Sequence, residues 1–152
     1  MGAYTGEITA KQVADLGLKY TLVGHSERRK MHSETDSVVA KKTKEALMNK
    51  LSVVLCIGET EKERESGKTD EVNARQLEAV LKVTRDWKNI IIAYEPVWAI
   101  GTGKTATPEI AQDAHAFIRA WVAARVSYDV AEDIRIIYGG SVSDKTASDL
   151  IS

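Results

Sequence analysis

Four short apolar runs, rich in β-branched residues, recur along the chain. They lie at residues 18–24, 52–57, 90–95 and 134–138. None alternates cleanly with polar residues, which is typical of strands buried on both faces in a parallel sheet. Helical patterns separate the runs, and the clearest has apolar residues spaced by three and four from Ile110 to Val122. The order predicts a βα repeat with right-handed crossovers in an α/β domain over residues 1–152.

Local signals predict where individual helices begin. Thr107 is a good N-cap, and Pro108 suits the first helical position. Near the start of the chain, Thr9 and Gln12 have the spacing of a capping box.

Two architectures are consistent with this repeat: an open doubly wound sheet, or part of a (β/α)8 barrel. A barrel has eight units and typically ~250 residues, so if the chain belongs to a barrel it supplies about half of one. Polar residues follow the carboxyl end of every run, and both architectures place their sites there. The repeat therefore predicts a site without separating the two folds.

Composition excludes several classes of function. The net charge is −1 and basic residues are spread along the chain, so we expect no nucleic-acid partner and no anionic membrane surface. The first residues lack a signal-peptide pattern and no segment reaches membrane-spanning length, so we expect a cytoplasmic protein.

The lone cysteine, Cys56, excludes an intrachain disulfide and is ordinarily a small buried hydrophobe. Three histidines and one cysteine without ligand spacing predict no metal.

Glu95 is the strongest candidate for chemistry. It ends the third apolar run, where desolvation disfavours the carboxylate and raises its pKa toward that of a general base. The alternative is a strand-end carboxylate that caps a helix or pairs with a lysine. The segment after it favours the base, because stiff Pro96 and Trp98 precede small, pliable residues that can swing as a lid.

Part of this segment, residues 101–105, resembles the tail of a nucleotide-binding P-loop. That motif requires a glycine at position 98, where this chain has Trp98. The helix signal also comes at Thr107 and Pro108 rather than at Lys104, so the pattern argues against a P-loop.

His25 is the second candidate. It follows the first apolar run and precedes a possible helix beginning at Ser26, whose amino end favours a neutral ring. Neutral imidazole donates a hydrogen bond to a carbonyl oxygen that gains negative charge. The alternative is a histidine satisfied by the backbone. We expect Glu95 and His25 to meet at one pocket mouth from adjoining strands, and His32 and His115 to be surface residues.

Glycines with a hydroxyl form a third feature. Gly101 and the Gly139-Gly140-Ser141 turn expose backbone amides of the kind that bind phosphate. A Gly-Gly-Ser turn is common by itself, and the nearby Glu95 makes it informative.

Four motifs in order resemble the triosephosphate isomerase family, and they stand at residues 24–29, 55–59, 93–103 and 138–141. The resemblance implies a barrel fold and interconversion of dihydroxyacetone phosphate and glyceraldehyde 3-phosphate through an enediolate, in glycolysis and gluconeogenesis, with no cofactor. Glu95 and His25 would be catalytic, supported by Ser26, Glu27 and Cys56. Phosphate contacts would come from Gly101 and Ser141. The lid and its latch would comprise Pro96, Val97, Trp98, Ile100, Thr102, Gly103, Lys104, Thr105, Ala106 and Tyr138.

The resemblance also sets expectations for assembly. Thr5 would lie in the loop that reaches the partner subunit of a homodimer. The family's active-site lysine, which Glu27 would contact, and its first and last strands have no counterpart in residues 1–152. We therefore expect a partial barrel that is inactive by itself. The alternative is a non-catalytic truncated form that only associates with intact subunits.

Overall fold

A computed structural model describes residues 3–100 and 106–151 of the chain. Within these residues, four parallel strands form one sheet in the order β1-β2-β3-β4. The strands are β1 (Tyr20–Val23), β2 (Ser52–Ile57), β3 (Ile90–Tyr94) and β4 (Arg135–Tyr138). The register pairs Val23 with Leu55, Leu55 with Ile92, and Ile92 with Ile136. Sequential parallel neighbours with a helix in each crossover are the pattern of a barrel rather than of a doubly wound sheet.

Helices fill every connection between the strands. They are α1 (Ala10–Asp15), α2 (Ser26–Met31), α3 (Asp36–Met48), α4 (Glu61–Glu65), α5 (Thr69–Leu81), α6 (Pro108–Arg125), α7 (Tyr128–Asp133) and α8 (Ala147–Ile151), with a 3-10 turn at Val97–Ala99. The predicted capping box of Thr9 and Gln12 starts α1. Thr107 accepts a hydrogen bond from the backbone of Ile110 and Pro108 opens α6, as the sequence predicts.

The core lies between one face of the sheet and helices α3, α5 and α6. Alternate strand residues point into it, and they include Val53, Leu55, Ile90, Ile92 and Tyr94, each at most 1 % exposed. The period of two along a strand then sends the residues between them to the opposite face. This alternation determines toward which face of the sheet the side chain of each strand-end residue points.

The opposite face is buried only in the middle of the sheet. Every residue of β3 is buried, but Leu22 on β1 is 62 % exposed and Ile137 on β4 is 45 % exposed. The prediction that both faces of every strand are buried is therefore right for β3 and wrong for β1 and β4. As edge strands, β1 and β4 each have a neighbour on one side only among the described strands.

Candidate active site

The carboxyl ends of the strands bring the predicted acid/base pair together. Because Tyr94 points into the core, Glu95 points to the opposite face, where it is 5 % exposed. Its Oε1 lies 3.0 Å from Nε2 of His25, and its Oε2 accepts a hydrogen bond from the backbone N–H of Ser26 at 3.2 Å. Both carboxylate oxygens of Glu95 therefore contact residues of the segment that follows β1.

The prediction that the two residues emerge from adjoining strands is wrong. His25 follows β1 and Glu95 follows β3, and β2 lies between these strands. On this face the end of β2 carries only Cys56 and then Gly58, which has no side chain. The two larger side chains therefore meet across β2 above these small residues.

Local geometry assigns the proton of the imidazole. His25 is the N-cap of α2, and its Nδ1 accepts a hydrogen bond from the backbone N–H of Glu27 at 3.3 Å. A ring nitrogen that accepts carries no proton, so the proton lies on Nε2 and is donated to Glu95. The side chain of Glu27 is 76 % exposed, and its Oε2 is 4.0 Å from the same Nδ1.

The environment of Glu95 has opposing effects on its pKa. Burial is the largest and raises the pKa, while His25, the Ser26 N–H, Cys56 and Arg29 each lower it. The pKa remains above its ordinary value, in the direction that a working base requires.

Cys56 is buried beside this carboxylate. Burial, followed by the nearby charge of Glu95, raises the pKa of its thiol to about 12. The thiol therefore stays protonated at neutral pH and is not a nucleophile. It behaves as a small buried group that contacts the carboxylate of Glu95.

Part of the predicted lid lies within the described residues. After Pro96, the 3-10 turn places Trp98 and Ala99 in a small apolar cluster with Ala106 and Tyr138. The hydroxyl of Ser141 donates to the carbonyl of Ala99 at 2.8 Å. The predicted lid residues Thr102, Gly103, Lys104 and Thr105, and the predicted phosphate contact Gly101, lie outside the described residues.

The turn after β4 also lies close to Glu95. The backbone N–H of Gly139 donates to the carbonyl of Tyr94 at 2.8 Å. A Cβ at Gly139 would lie 3.0 Å from Cγ of Glu95. A side chain at position 139 would therefore press on the side chain of Glu95, which explains a glycine here independently of any role with phosphate.

Comparison with known proteins identifies the family. The family model for triosephosphate isomerase matches residues 1–152. The chain belongs to the triosephosphate isomerase family. It is 56 % identical to the triosephosphate isomerase of Coprinopsis cinerea over 153 aligned positions, which cover 99 % of this chain and 61 % of that protein. The triosephosphate isomerase of Candida albicans is 55 % identical, over 97 % of this chain and 60 % of its own length. The chain thus spans about three fifths of these relatives.

Membership of the triosephosphate isomerase family confirms the predicted fold class. The four parallel strands with intervening helices are consistent with part of that family's barrel. Among residues 3–100 and 106–151, no helix is long and apolar enough to cross a membrane. The same residues contain no cluster of three or more His, Cys, Asp or Glu suited to a metal ion.

Glu59 is a residue whose role the sequence does not predict, and it is completely buried. Its carboxylate accepts hydrogen bonds from the hydroxyl of Tyr94 at 3.1 Å and from the indole N–H of Trp98 at 2.8 Å. Arg64 lies 3.5 Å from it and stacks over the Trp98 ring at 4.5 Å. The signal in the sequence is a carboxylate one glycine beyond an apolar run, which is similar to the signal that identifies Glu95.

Arg29 is a second residue that the sequence did not single out. Its Nε donates to the carbonyl of Gly24 at 2.7 Å, and its Nη2 donates to that of Cys56 at 3.4 Å. Asp36 holds the same guanidinium at 2.7 Å. Arg29 thus joins the carboxyl ends of β1 and β2, near His25 and Glu95.

Three remaining predictions concern peripheral residues. Thr5 is exposed in the segment before α1, and His32 is exposed as predicted. His115 is not a surface residue: it is half-buried, with its ring edge-on to Tyr94 at 6.0 Å, and burial lowers its pKa. The prediction was wrong because His115 lies on the side of α6 that turns toward β3.

Proposed function

We propose that Glu95 and His25 are the acid/base pair of an isomerase that interconverts dihydroxyacetone phosphate and glyceraldehyde 3-phosphate. The observation that carries the proposal is the 3.0 Å approach of His25 Nε2 to Glu95 Oε1 at the carboxyl ends of the strands. Membership of the triosephosphate isomerase family supports the same reaction. The complete barrel would carry out the reaction, and this chain would supply its central acid/base groups.

In the proposed reaction, substrate enters between the two side chains and takes the place of the hydrogen bond that joins them. Glu95 removes a proton from the carbon next to the carbonyl, and the electron pair of that C–H bond forms the enediolate double bond. The Nε2–H of His25 donates to the carbonyl oxygen as it gains charge. Protons then pass between the two oxygens through His25, and Glu95 returns its proton to the neighbouring carbon. The steps transfer protons only, so they need no redox cofactor.

Two features support this assignment of roles. Burial of Glu95 raises its pKa, which strengthens it as a base. The hydrogen bond from the backbone N–H of Glu27 leaves the imidazole proton on Nε2. The Nε2–H group of His25 therefore already points toward Glu95, where the substrate would lie.

The lid and the phosphate contacts complete the proposal. Residues 96–106 would close over the substrate and exclude water, and Tyr138 would latch them. Gly101 and Ser141 would contact the phosphate. The bond from Ser141 to Ala99 already links the turn after β4 to the start of this lid.

For the biological setting, we propose a homodimer with Thr5 in the intersubunit loop and a cytoplasmic role in glycolysis and gluconeogenesis. We also propose that residues 1–152 by themselves do not turn over substrate, because a closed parallel barrel needs eight strands and the described residues contribute four. A chain that only associates with intact subunits is the alternative.

A chimera tests the proposed function. Residues 1–152 replace the matching 61 % of the Coprinopsis cinerea relative, so that the remaining strands come from that protein. A coupled assay with glyceraldehyde 3-phosphate should show isomerase activity, and Glu95→Gln in the chimera should lower kcat by roughly a thousandfold. A folded chimera without activity, or one that Glu95→Gln leaves unchanged, would overturn the proposal. The unmodified 152-residue chain, assayed alone, should be inactive.

A further inference from the structure

The amide of Gln76 makes a buried two-way hydrogen bond to a single residue at the end of β2. Its Oε1 accepts from the backbone N–H of Gly58 at 2.9 Å, and its Nε2 donates to the carbonyl of Gly58 at 3.3 Å. Gln76 is 6 % exposed on α5, whose neighbouring Leu77 is fully buried in the core. A long polar side chain is thus fixed by packing and satisfies both polar groups of one turn residue.

Gly58 lies directly against the backbone of the proposed base. A Cβ at Gly58 would lie 1.8 Å from the carbonyl oxygen of Glu95. The preceding residue, Ile57, accepts a hydrogen bond from the backbone N–H of Glu95 at 2.7 Å. The position of the Ile57-Gly58 segment therefore sets where the Glu95 backbone lies.

The next residue holds the start of the proposed lid. The carbonyl of Glu59 accepts from the backbone N–H of Val97 at 3.1 Å, and its carboxylate accepts from Trp98 at 2.8 Å. Three consecutive residues, 57–59, therefore contact both Glu95 and the segment that follows it. The side chain of Gln76 hydrogen-bonds both the N–H and the carbonyl of the middle residue, Gly58.

We propose that Gln76 is a positioning residue that aligns Glu95 and the first lid residues by clamping Gly58. Packing alone does not require an amide at this position, because a methionine has a similar volume. The two hydrogen bonds require a group that both donates and accepts, and among side chains of this length glutamine supplies one.

Two substitutions separate this role from simple packing. Gln76→Met removes both hydrogen bonds and keeps the length of the side chain. Gln76→Glu keeps both while its carboxyl is protonated, since the acid donates through O–H and accepts through C=O, and loses the donor when it ionises. Ile118→Val on α6, fully buried in the core, is the control for a general loss of packing.

The direct readout is the NMR signal of the indole N–H groups in the 152-residue chain. The indole N–H of Trp98 donates to Glu59. The rings of Trp87 and Trp121 contact each other, with 6.2 Å between their centroids, and these two residues serve as internal references. We expect Gln76→Met to shift the Trp98 signal and leave the two references in place. Gln76→Glu should match the unsubstituted chain at acid pH and approach Gln76→Met as pH rises. Running Gln76→Met over the same pH series corrects for the ionisation of all other groups.

Two results would overturn the proposal. The first is a Trp98 signal that Gln76→Met does not move. The second is a shift of all three indole signals in Gln76→Met that matches the shift in the packing control Ile118→Val. Should Gln76→Met not fold, a pH-independent Trp98 signal in Gln76→Glu would do the same. The kinetic part rests on the proposed function: in the chimera, Gln76→Met should lower kcat on the order of tenfold to a hundredfold while KM changes little. An inactive unsubstituted chimera would count against the proposed function, and the indole signals would still decide the role of Gln76.

Discussion

The indole N–H of Trp98 donates to the carboxylate of Glu59 at 2.8 Å, and this bond joins the end of β2 to the segment that follows the proposed base. The same carboxylate accepts from the hydroxyl of Tyr94 and is fully buried. When one partner of such a buried hydrogen-bonded group is removed, the polar groups that remain are left buried without a partner, and this costs stability.

Replacement of Glu59 should therefore lower stability strongly. Glu59→Leu removes the acceptor for Tyr94 and for Trp98, and we expect the free energy of unfolding to fall by about 3 kcal/mol. Glu59→Gln keeps one acceptor oxygen and should cost less. Urea denaturation of the two variants measures both values, and equal stability of Glu59→Leu and the unsubstituted chain would contradict the assigned contacts.

A side chain at Gly58 should displace the backbone of Glu95. In Gly58→Ala the new Cβ would overlap the carbonyl oxygen of Glu95, so either β2 or β3 must move. We expect a loss of about 3 kcal/mol or more in urea denaturation. Gly67→Ala is a matched control for glycine replacement, since its Cβ would meet no atom within 4 Å. A smaller loss at Gly58 than at Gly67 would show that the close approach is wrong.

Glu34 should make the fold acid-sensitive. Its buried carboxylate pairs with Arg28 at 2.6 Å and with Lys42 at 2.5 Å. Burial by itself would raise the pKa of Glu34, but the hydrogen bonds from Lys42 and Arg28 bring it below its ordinary value. Its stabilising contribution is therefore present above the unfolded pKa, about 4.5, and is lost as pH falls through the lower folded value.

Glu34→Gln tests that sign. At neutral pH we expect a loss of about 1 to 2 kcal/mol, because the two cations are partly exposed. The difference from the unsubstituted chain should shrink as pH falls, when measured by urea denaturation at a series of pH values. A difference that stays constant with pH would rule out the ion pairs as its cause.

Glu95 should have the opposite pH dependence. Burial raises its pKa, so its contribution to stability is full below the unfolded value and is lost as pH rises through the folded value. Relative to the unsubstituted chain, Glu95→Gln should therefore gain stability as pH rises, while it loses activity in the chimera. A calorimetric pH series checks this; a variant that loses stability with rising pH would show that contacts with His25 outweigh burial.

Cys56 should be unreactive in the folded chain. With a pKa of about 12, its thiolate fraction near pH 8 is roughly one part in ten thousand. Alkylation by iodoacetamide should be slow in buffer and rapid in denaturing urea, followed by mass spectrometry. Labelling in buffer at the rate of the unfolded chain would show that the thiol is accessible.

The sequence by itself determined the strands, the starts of helices α1, α2 and α6, and the strand-end carboxylate. These depend on local physics: apolar runs of strand length, N-caps such as Thr107, and the desolvation of Glu95 at the end of β3. The match of the four motifs to a known family also needed no structure.

Only the tertiary structure decided how these parts meet. Glu95 and Ser26 are 69 positions apart, and their contact across β2 depends on small residues at the end of an intervening strand. Gln76 has an unremarkable place in a helical pattern, and its role appears only where α5 packs beside Gly58. Side-chain hydrogen bonds between distant segments depend on distance and direction in space, which a pattern of hydrophobic and polar residues along the chain does not encode.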